Sequence, residues 1–247
     1  MQIKDLNAII LSGGMGTRIK HLLNGLPKPM VPIHHKPFIE WLMIYLFDQG
    51  IRNFHFSTGY RSEVFDEFLK KHQSDKYHIS CIAESYPMGT AGAIYNAVRL
   101  LREENKSDVW SVINGDSLLL ADLKQFFDLF QASKADAAMI GVEVADSSRY
   151  GTLDLDSNSY LKGFQEKQLG SGVINGGIYL LSNRFISAFP DKVPLSLENE
   201  VFQYLLDKQY TVYVNVIKAP FIDIGTPQSL ASAQEFISNN LSCLNKL

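Results

Sequence analysis

Ala8-Ile9-Ile10-Leu11-Ser12-Gly13-Gly14-Met15-Gly16-Thr17-Arg18 is the stretch from which the fold can be read. Its first four residues form an apolar run of the length of a short buried strand. Gly13, Gly14 and Gly16 follow at once. A strand that ends in a glycine-rich turn exposes several backbone N–H groups close together, and these favour a phosphate or pyrophosphate. Arg18 and Lys28, the latter held between Pro27 and Pro29, add two side-chain cations. The guanidinium can grip phosphate oxygens bidentately. Two familiar glycine motifs are excluded. A P-loop needs Lys-Ser or Lys-Thr where Thr17-Arg18 follows Gly16, and a dinucleotide fingerprint needs glycine where Ile19 stands. A glycine-rich turn with solvated charges would fit the same residues.

The chain has 247 residues, enough to bury a substantial core in one α/β domain. Its 23 basic and 26 acidic residues leave a net charge of −3, so no general basic field points to a nucleic-acid partner. Cys81 and Cys243 form no CxxC pair, which fits reduced thiols and a cytoplasmic protein. The N-terminal residues lead directly into a strand, so no signal peptide is expected. The apolar segment Phe38 to Phe47 contains Glu40 and falls short of the ~20 residues of a membrane span, so no membrane association is expected.

Downstream, strand and helix signals alternate. Pro37 onward reads as a buried helix stopped by Gly50, and Asn53–Thr58 as a strand ending at Gly59. Ser62 is placed to cap the next helix, Tyr77–Ala83 is a strand, and Thr90 is placed to cap a helix to Glu104. Val109–Ile113 is a further strand, ending at Asn114-Gly115-Asp116. This alternation predicts βαβ units and a mostly parallel sheet, with ligands beyond the carboxyl ends of its strands.

The second half is less regular. It reads as a helix from Asp122 to Ser133, a strand Ala137–Val144 and a hairpin turning at Ser157-Asn158-Ser159. A glycine-interrupted strand from Val173 follows, where close backbone approach by a ligand is expected. A helix Glu198–Lys208, a strand Thr211–Ile217, a final helix Pro227–Ile237 and a frayed tail over 238–247 complete the chain.

Asp116 follows a buried strand and a glycine, which suits a rigidly held carboxylate or a turn aspartate. Asp223 stands between Ile222 and Ile224, and an acidic group in apolar surroundings needs a partner. A metal shared with Asp116 would supply one. Two carboxylates plus substrate phosphates suit Mg²⁺. Asp154-x-Asp156-x-Asn158 lacks the glycine and the twelfth-position glutamate of an EF-hand and reads as turn chemistry, and His34-His35 lacks a third ligand.

With these residues assembled, the chain resembles the sugar-1-phosphate nucleotidyltransferases, and within them the D-glycero-D-manno-heptose 1-phosphate guanylyltransferases. The resemblance rests on Gly13–Arg18, Lys28–Pro32, Gly89–Gly92, Asn114–Asp116, Tyr150-Gly151, Glu166-Lys167, Asn175–Gly177 and Phe221–Pro227, in that order. His21, where many members have proline, and Gln168 depart from the pattern. The resemblance implies a Rossmann-like fold, a mostly parallel central sheet flanked by helices with a small additional β region. Residues 1–120 would be mainly the nucleotide-binding half and 121–240 mainly the sugar-phosphate-binding half of one domain.

It also implies direct attack of a sugar-1-phosphate oxygen on the α-phosphorus of an NTP, with Mg²⁺ as cofactor. Arg18, Lys28 and Asp116 are then the catalytic residues: Arg18 on the β- and γ-phosphates, Lys28 at the α-phosphate, and Asp116 with Asp223 on the metal. Leu11, Ser12, Gly13, Gly14, Gly16, Thr17, Glu84, Gly89 and Thr90 would bind the nucleotide. Gly151, Glu166, Lys167, Asn175, Gly176 and Glu198 would bind the sugar phosphate. Glu84 suits guanine, whose N1–H and N2 amine are adjacent donors, and equally suits a surface carboxylate. The same chemistry on UTP with a muramic acid-type sugar phosphate, on GTP with mannose 1-phosphate, or a non-catalytic nucleotide-sugar-binding subunit remain alternatives. The sequence leaves the glycan pathway open, whether lipopolysaccharide, capsule or protein glycan, and permits a homodimer.

Overall fold

The apolar run before the glycines forms the strand Asn7–Leu11, in which Ala8, Ile9 and Ile10 are fully buried. It belongs to a computed structural model that describes residues 2–102, 107–166, 169–240 and 242. The chain divides into two compact units. The first comprises Met1–Pro87, Ile113–Leu120 and Phe221–Leu247, and the second Met88–Val112 and Ala121–Pro220. The fold class is α/β, with mainly parallel strands flanked by helices and smaller antiparallel additions.

In the first unit, Asn7–Leu11 pairs in parallel with Asn53–Thr58, and that strand pairs in parallel with His78–Ala83. The register sets Ile10 beside Phe56 and Phe56 beside Cys81. The helix Phe38–Asp48 buries every residue from Trp41 to Leu46, as its all-round apolar sequence predicts. The helix Glu63–Lys71 presents Phe65 and Phe68 to Phe56. Ser62 occupies its N-cap position without making a capping hydrogen bond. Burial pushes the Cys81 thiol up to about 12, so it stays protonated.

One pairing escaped the sequence. Ser117–Leu119, directly after Asp116, forms an antiparallel pair with Phe221–Asp223, in register Ser117 to Asp223. The final helix, Pro227–Asn239, is capped by the Thr226 hydroxyl, which accepts from Ser229 N–H. It extends two residues into the stretch expected to fray. The rest of that tail lies largely outside the described residues.

A buried polar relay crosses the three strands. His55 is 1% exposed; its Nε2 bonds to Asn7 Oδ1 at 3.0 Å and its Nδ1 to Ser80 Oγ at 2.7 Å. Burial, helped by His78, pushes its pKa down to about 4. The unfolded chain therefore binds the proton first as pH falls from 6.5 toward 4, and stability is lost across that window, by about 3 kcal/mol at its foot. His72 works the other way. Its hydrogen bond to Glu40 raises its pKa, so its contribution is present at low pH and lost as pH rises through that raised value. Melting temperatures recorded between pH 7 and 4 should fall less steeply in His55→Gln than in the parent. Identical slopes would refute the assignment.

In the second unit the long strand Gly172–Ser182 runs antiparallel to Ala137–Val144, which pairs in parallel with Val212–Ile217. The hairpin Thr152–Leu155 and Leu161–Gln165 joins through Thr152 beside Ile174. Its turn is closed as expected, with Asp156 Oδ1 accepting from the N–H groups of Asn158 and Tyr160. Asp122 caps the helix Leu123–Ser133. Two expectations need correction. The helix Gly89–Leu101 starts at Gly89 with no side-chain cap, because the Thr90 hydroxyl is used elsewhere. The predicted helix Glu198–Lys208 is instead a π-helical turn, Leu197–Val201, followed by the α-helix Phe202–Leu206. Among the described residues no helix is long and apolar enough to cross a membrane.

Candidate active site

The glycine loop starts where Asn7–Leu11 runs out. Ser12 N–H donates to the Ser57 carbonyl at 2.8 Å, which carries the ladder one residue past Leu11. Among the described residues no protein acceptor takes the N–H groups of Gly13, Gly14, Met15 or Gly16. A Cβ added at Gly14 would meet nothing within 4 Å. The loop therefore keeps several backbone donors unused by the described residues, with open space at Gly14, which is what an anion requires. Gly16 has φ +58°, and a Cβ there would lie 3.2 Å from Cβ of Lys28, so glycine allows both the turn and the approach of the lysine. Thr17 and Arg18 follow in the 3₁₀ turn Thr17–Leu22. Arg18 is exposed and, among the described residues, its side chain makes no hydrogen bond or ion pair.

Asp116 reaches the loop through its neighbour. Gly115 N–H donates to the Leu11 carbonyl at 2.9 Å, and a Cβ at Gly115 would stand 2.6 Å from that oxygen and 2.8 Å from Ser12 Oγ. Only glycine permits this approach. Lys28 Nζ then bonds to Asp116 Oδ2. The pair is partly screened from water, with side chains 15% and 37% exposed respectively.

The strand pair unseen in the sequence supplies Asp223. Ile224 N–H donates to the Asp116 carbonyl at 2.9 Å, and Gly225 N–H fixes Asp223 Oδ1 at 2.9 Å. A Cβ at Gly225 would lie 2.7 Å from Asp223 Oδ1 and 3.8 Å from Lys28 Nζ, which places the second carboxylate beside the lysine. The expected catalytic and metal residues Lys28, Asp116 and Asp223 are thus gathered in one unit. Among the described residues no third His, Cys, Asp or Glu joins the two carboxylates. All-oxygen donors from two carboxylates, with phosphates to complete the shell, suit a magnesium ion.

Glu84 stands over the same loop. Its N–H donates to the Thr58 carbonyl at 2.7 Å, and Ser57 Oγ donates to its Oε1 at 3.4 Å. A Cβ at Gly13 would come within 2.5 Å of that oxygen, so a side chain there would displace the carboxylate from the loop. Gly59, expected from the sequence only as a strand end, has a second role. A Cβ there would lie 3.1 Å from the Gly13 carbonyl, so it too shapes the loop.

The remaining predicted residues lie in the second unit. Gly89 (φ +72°) and Thr90 open their helix against Leu195, whose carbonyl accepts from Ala91 N–H at 2.9 Å. Thr90 Oγ1 accepts from Leu197 N–H at 2.7 Å and donates to Glu198 Oε2 at 2.8 Å. Glu198 Oε1 accepts from the Tyr179 hydroxyl at 3.2 Å, and that hydroxyl accepts from Asn175 Nδ2 at 2.8 Å. Thr90, Glu198 and Asn175 are therefore brought together, and Tyr179, a residue not among the expected site residues, bridges them. Gly176 is buried in the same strand, while Gly151 and Glu166 are exposed on the hairpin side. Lys167 lies outside the described residues.

Residues 7–240 match the family model described as nucleotidyl transferase. The chain belongs to that family. Two relatives named D-glycero-alpha-D-manno-heptose 1-phosphate guanylyltransferase are similar over nearly their whole length. The one from Aneurinibacillus thermoaerophilus is 35% identical across 93% of this chain and 97% of its own. The one from Campylobacter jejuni is 33% identical across 95% of this chain and 100% of its own. Among solved structures, HddC from Yersinia pseudotuberculosis complexed with GMP-PN superposes with a TM-score of 0.81. It is 35% identical and covers 93% of this chain and 98% of the other.

Proposed function

We propose that this nucleotidyl transferase moves a guanylyl group from GTP to a D-glycero-α-D-manno-heptose 1-phosphate, releasing pyrophosphate and a GDP-heptose. The observation that carries the chemistry is the gathering of Lys28, Asp116 and Asp223 beside a glycine loop with N–H donors unused by the described residues. The choice of substrates is supported by the similarity to the two heptose 1-phosphate guanylyltransferases and to HddC.

Both reactants are anions that repel each other, so charge neutralisation and in-line positioning must provide most of the rate. The loop N–H groups and Arg18 bind the β- and γ-phosphates and receive the leaving pyrophosphate. Lys28 neutralises the α-phosphate as the sugar-phosphate oxygen bonds to phosphorus and the α–β bridging oxygen departs. Asp116 and Asp223 are the residues that would hold Mg²⁺, which supplies Lewis-acid stabilisation of the phosphate oxygens when bound. Asn175 and Glu198 read sugar hydroxyls, and Lys167 and Glu166 complete the sugar-phosphate contacts. A cytoplasmic enzyme feeding heptose into lipopolysaccharide or capsule is the setting this reading implies.

Pyrophosphate release measured across GTP, UTP and dTTP, each with heptose, mannose and muramic acid-type 1-phosphates, tests the assignment. The highest kcat/KM is expected for GTP with the heptose phosphate. A clear preference for any other pair would replace it. Glu84 is the residue assigned to guanine, its carboxylate accepting from N1–H and the N2 amine. Glu84→Gln replaces one acceptor with a donor, and the GTP preference over UTP should fall by roughly 10–100-fold. An unchanged preference would remove Glu84 from base recognition.

A further inference from the structure

Four polar side chains of the second unit form one line, Thr90 to Glu198 to Tyr179 to Asn175, and Tyr179 within it is 0% exposed. A buried phenol in a β-strand is ordinarily a core residue with its hydroxyl satisfied by backbone. Here the hydroxyl instead spans two residues that face the sugar in the proposed reaction, donating to one and accepting from the other. We infer that Tyr179 is a positioning residue that fixes the Asn175 amide and the Glu198 carboxylate as a matched donor–acceptor pair for adjacent sugar hydroxyls, a role that rests on the proposed sugar-phosphate chemistry.

Hydrogen-bond accounting defines what the line presents. Asn175 Oδ1 accepts from Gly177 N–H at 2.9 Å, which sets which way the amide faces. One Nδ2 hydrogen goes to Tyr179, and the other remains as a donor. Glu198 gives Oε1 to Tyr179 and Oε2 to Thr90 at 2.8 Å and to Ser196 Oγ at 3.5 Å, so Oε1 is the oxygen that keeps acceptor capacity. A vicinal diol carries the complementary set. Because the bonds to Glu198 involve an ionised acceptor, they are the stronger kind, and losing one frees the carboxylate to turn.

The backbone explains why this strand can do it. The pairing register of Gly172–Ser182 shifts between Asn175 and Tyr179, with Gly177 at φ +73° inside the shift. Such bulges re-aim side chains beside ligand sites. Glu198 stands in the π-helical turn Leu197–Val201, another irregularity that recurs at functional positions. The Tyr179 ring is held against Phe202, with centroids 5.9 Å apart, so its hydroxyl has little freedom to follow the ligand. Thr90 anchors the far end, since its hydroxyl takes both Leu197 N–H and Glu198.

Tyr179→Phe keeps the ring and removes only the oxygen. The parent is first assayed against the substrate panel, and the variant is then assayed with whichever pair the parent uses. The sugar-phosphate KM should rise about tenfold while the nucleotide KM stays within twofold. In an Asn175→Ala background the same change should raise that KM by clearly less than tenfold, because one of the two partners it positions is already gone. Equal rises in both KM values, full multiplication in the double variant, or an unchanged sugar-phosphate KM would each overturn the inference. Absence of turnover by the parent on every pair would instead overturn the substrate reading, which separates the two failures.

Discussion

Lys28→Met is expected to lower kcat by about 10²–10³. Among the described residues the ammonium is the one side-chain cation bonded to Asp116, and Asp223 and the ammonium both lie close to Gly225, so its removal leaves two carboxylates facing an incoming triphosphate. Two unit charges about 4 Å apart at an effective dielectric constant of 20 interact by about 4 kcal/mol, which is the size of a thousandfold rate effect. The backbone cost is small, because Pro29 and Met30 are buried independently of the ammonium and methionine retains the aliphatic stem. A folded variant with a melting temperature near the parent's is therefore expected. Transfer and its reverse, pyrophosphorolysis, should slow by the same factor, since the equilibrium between free reactants is untouched. Lys28→Arg should recover part of the loss by restoring charge without the ammonium's geometry. A kcat within threefold of the parent for Lys28→Met would remove the lysine from catalysis.

The reach of sequence reading follows from what each feature depends on. The strand Asn7–Leu11, the glycine loop and the helix Phe38–Asp48 are set by local patterns, and the structure has them within a residue or so of their expected limits. Asp116 and Asp223 each drew notice as unusual carboxylates. Nothing local places them side by side, because the joining pair, Ser117–Leu119 with Phe221–Asp223, is only three residues long on each strand. Such a strand is too short to carry an alternation signal. Thr90 shows the opposite problem. Its position before an apolar helical stripe is a fair capping signal, yet a carboxylate distant in sequence competes for the hydroxyl and wins. The helical spacing of its neighbours points to a regular helix for Glu198; the capped π-turn that carries it depends on Ser196 and on Thr90 meeting Leu197. Tyr179 was invisible as a functional group because a tyrosine among Ile178, Leu180 and Leu181 reads as core, and it is core in every atom but one.

Gly89→Ala should be the most destabilising single-methyl change near the site, by roughly 2–5 kcal/mol. Two costs coincide there. The residue has φ +72°, a conformation that side chains disfavour, and the new Cβ would stand 2.5 Å from the Leu195 carbonyl oxygen, 2.8 Å from its carbon and 2.9 Å from its nitrogen. All three obstacles are backbone, so no rotamer change relieves them. Leu195 cannot step back freely either. Its N–H donates to the Met88 carbonyl at 2.9 Å and its own carbonyl caps Ala91 N–H, so both sides of the contact are already bonded to each other. For a chain of this size the loss corresponds to a fall in melting temperature of about 5–20 °C. Relief would come by moving the Leu195–Leu197 backbone outward, which breaks the Leu197 N–H bond to Thr90 and loosens Glu198 with it. Both KM values of whatever protein remains folded should therefore rise, the sugar-phosphate one through Glu198 and the nucleotide one through Gly89 and Thr90 themselves. Thermal melts and substrate kinetics on the same preparation separate these effects. A melting temperature within about 2 °C of the parent's, with both KM values unchanged, would show that the Leu195 backbone yields without cost.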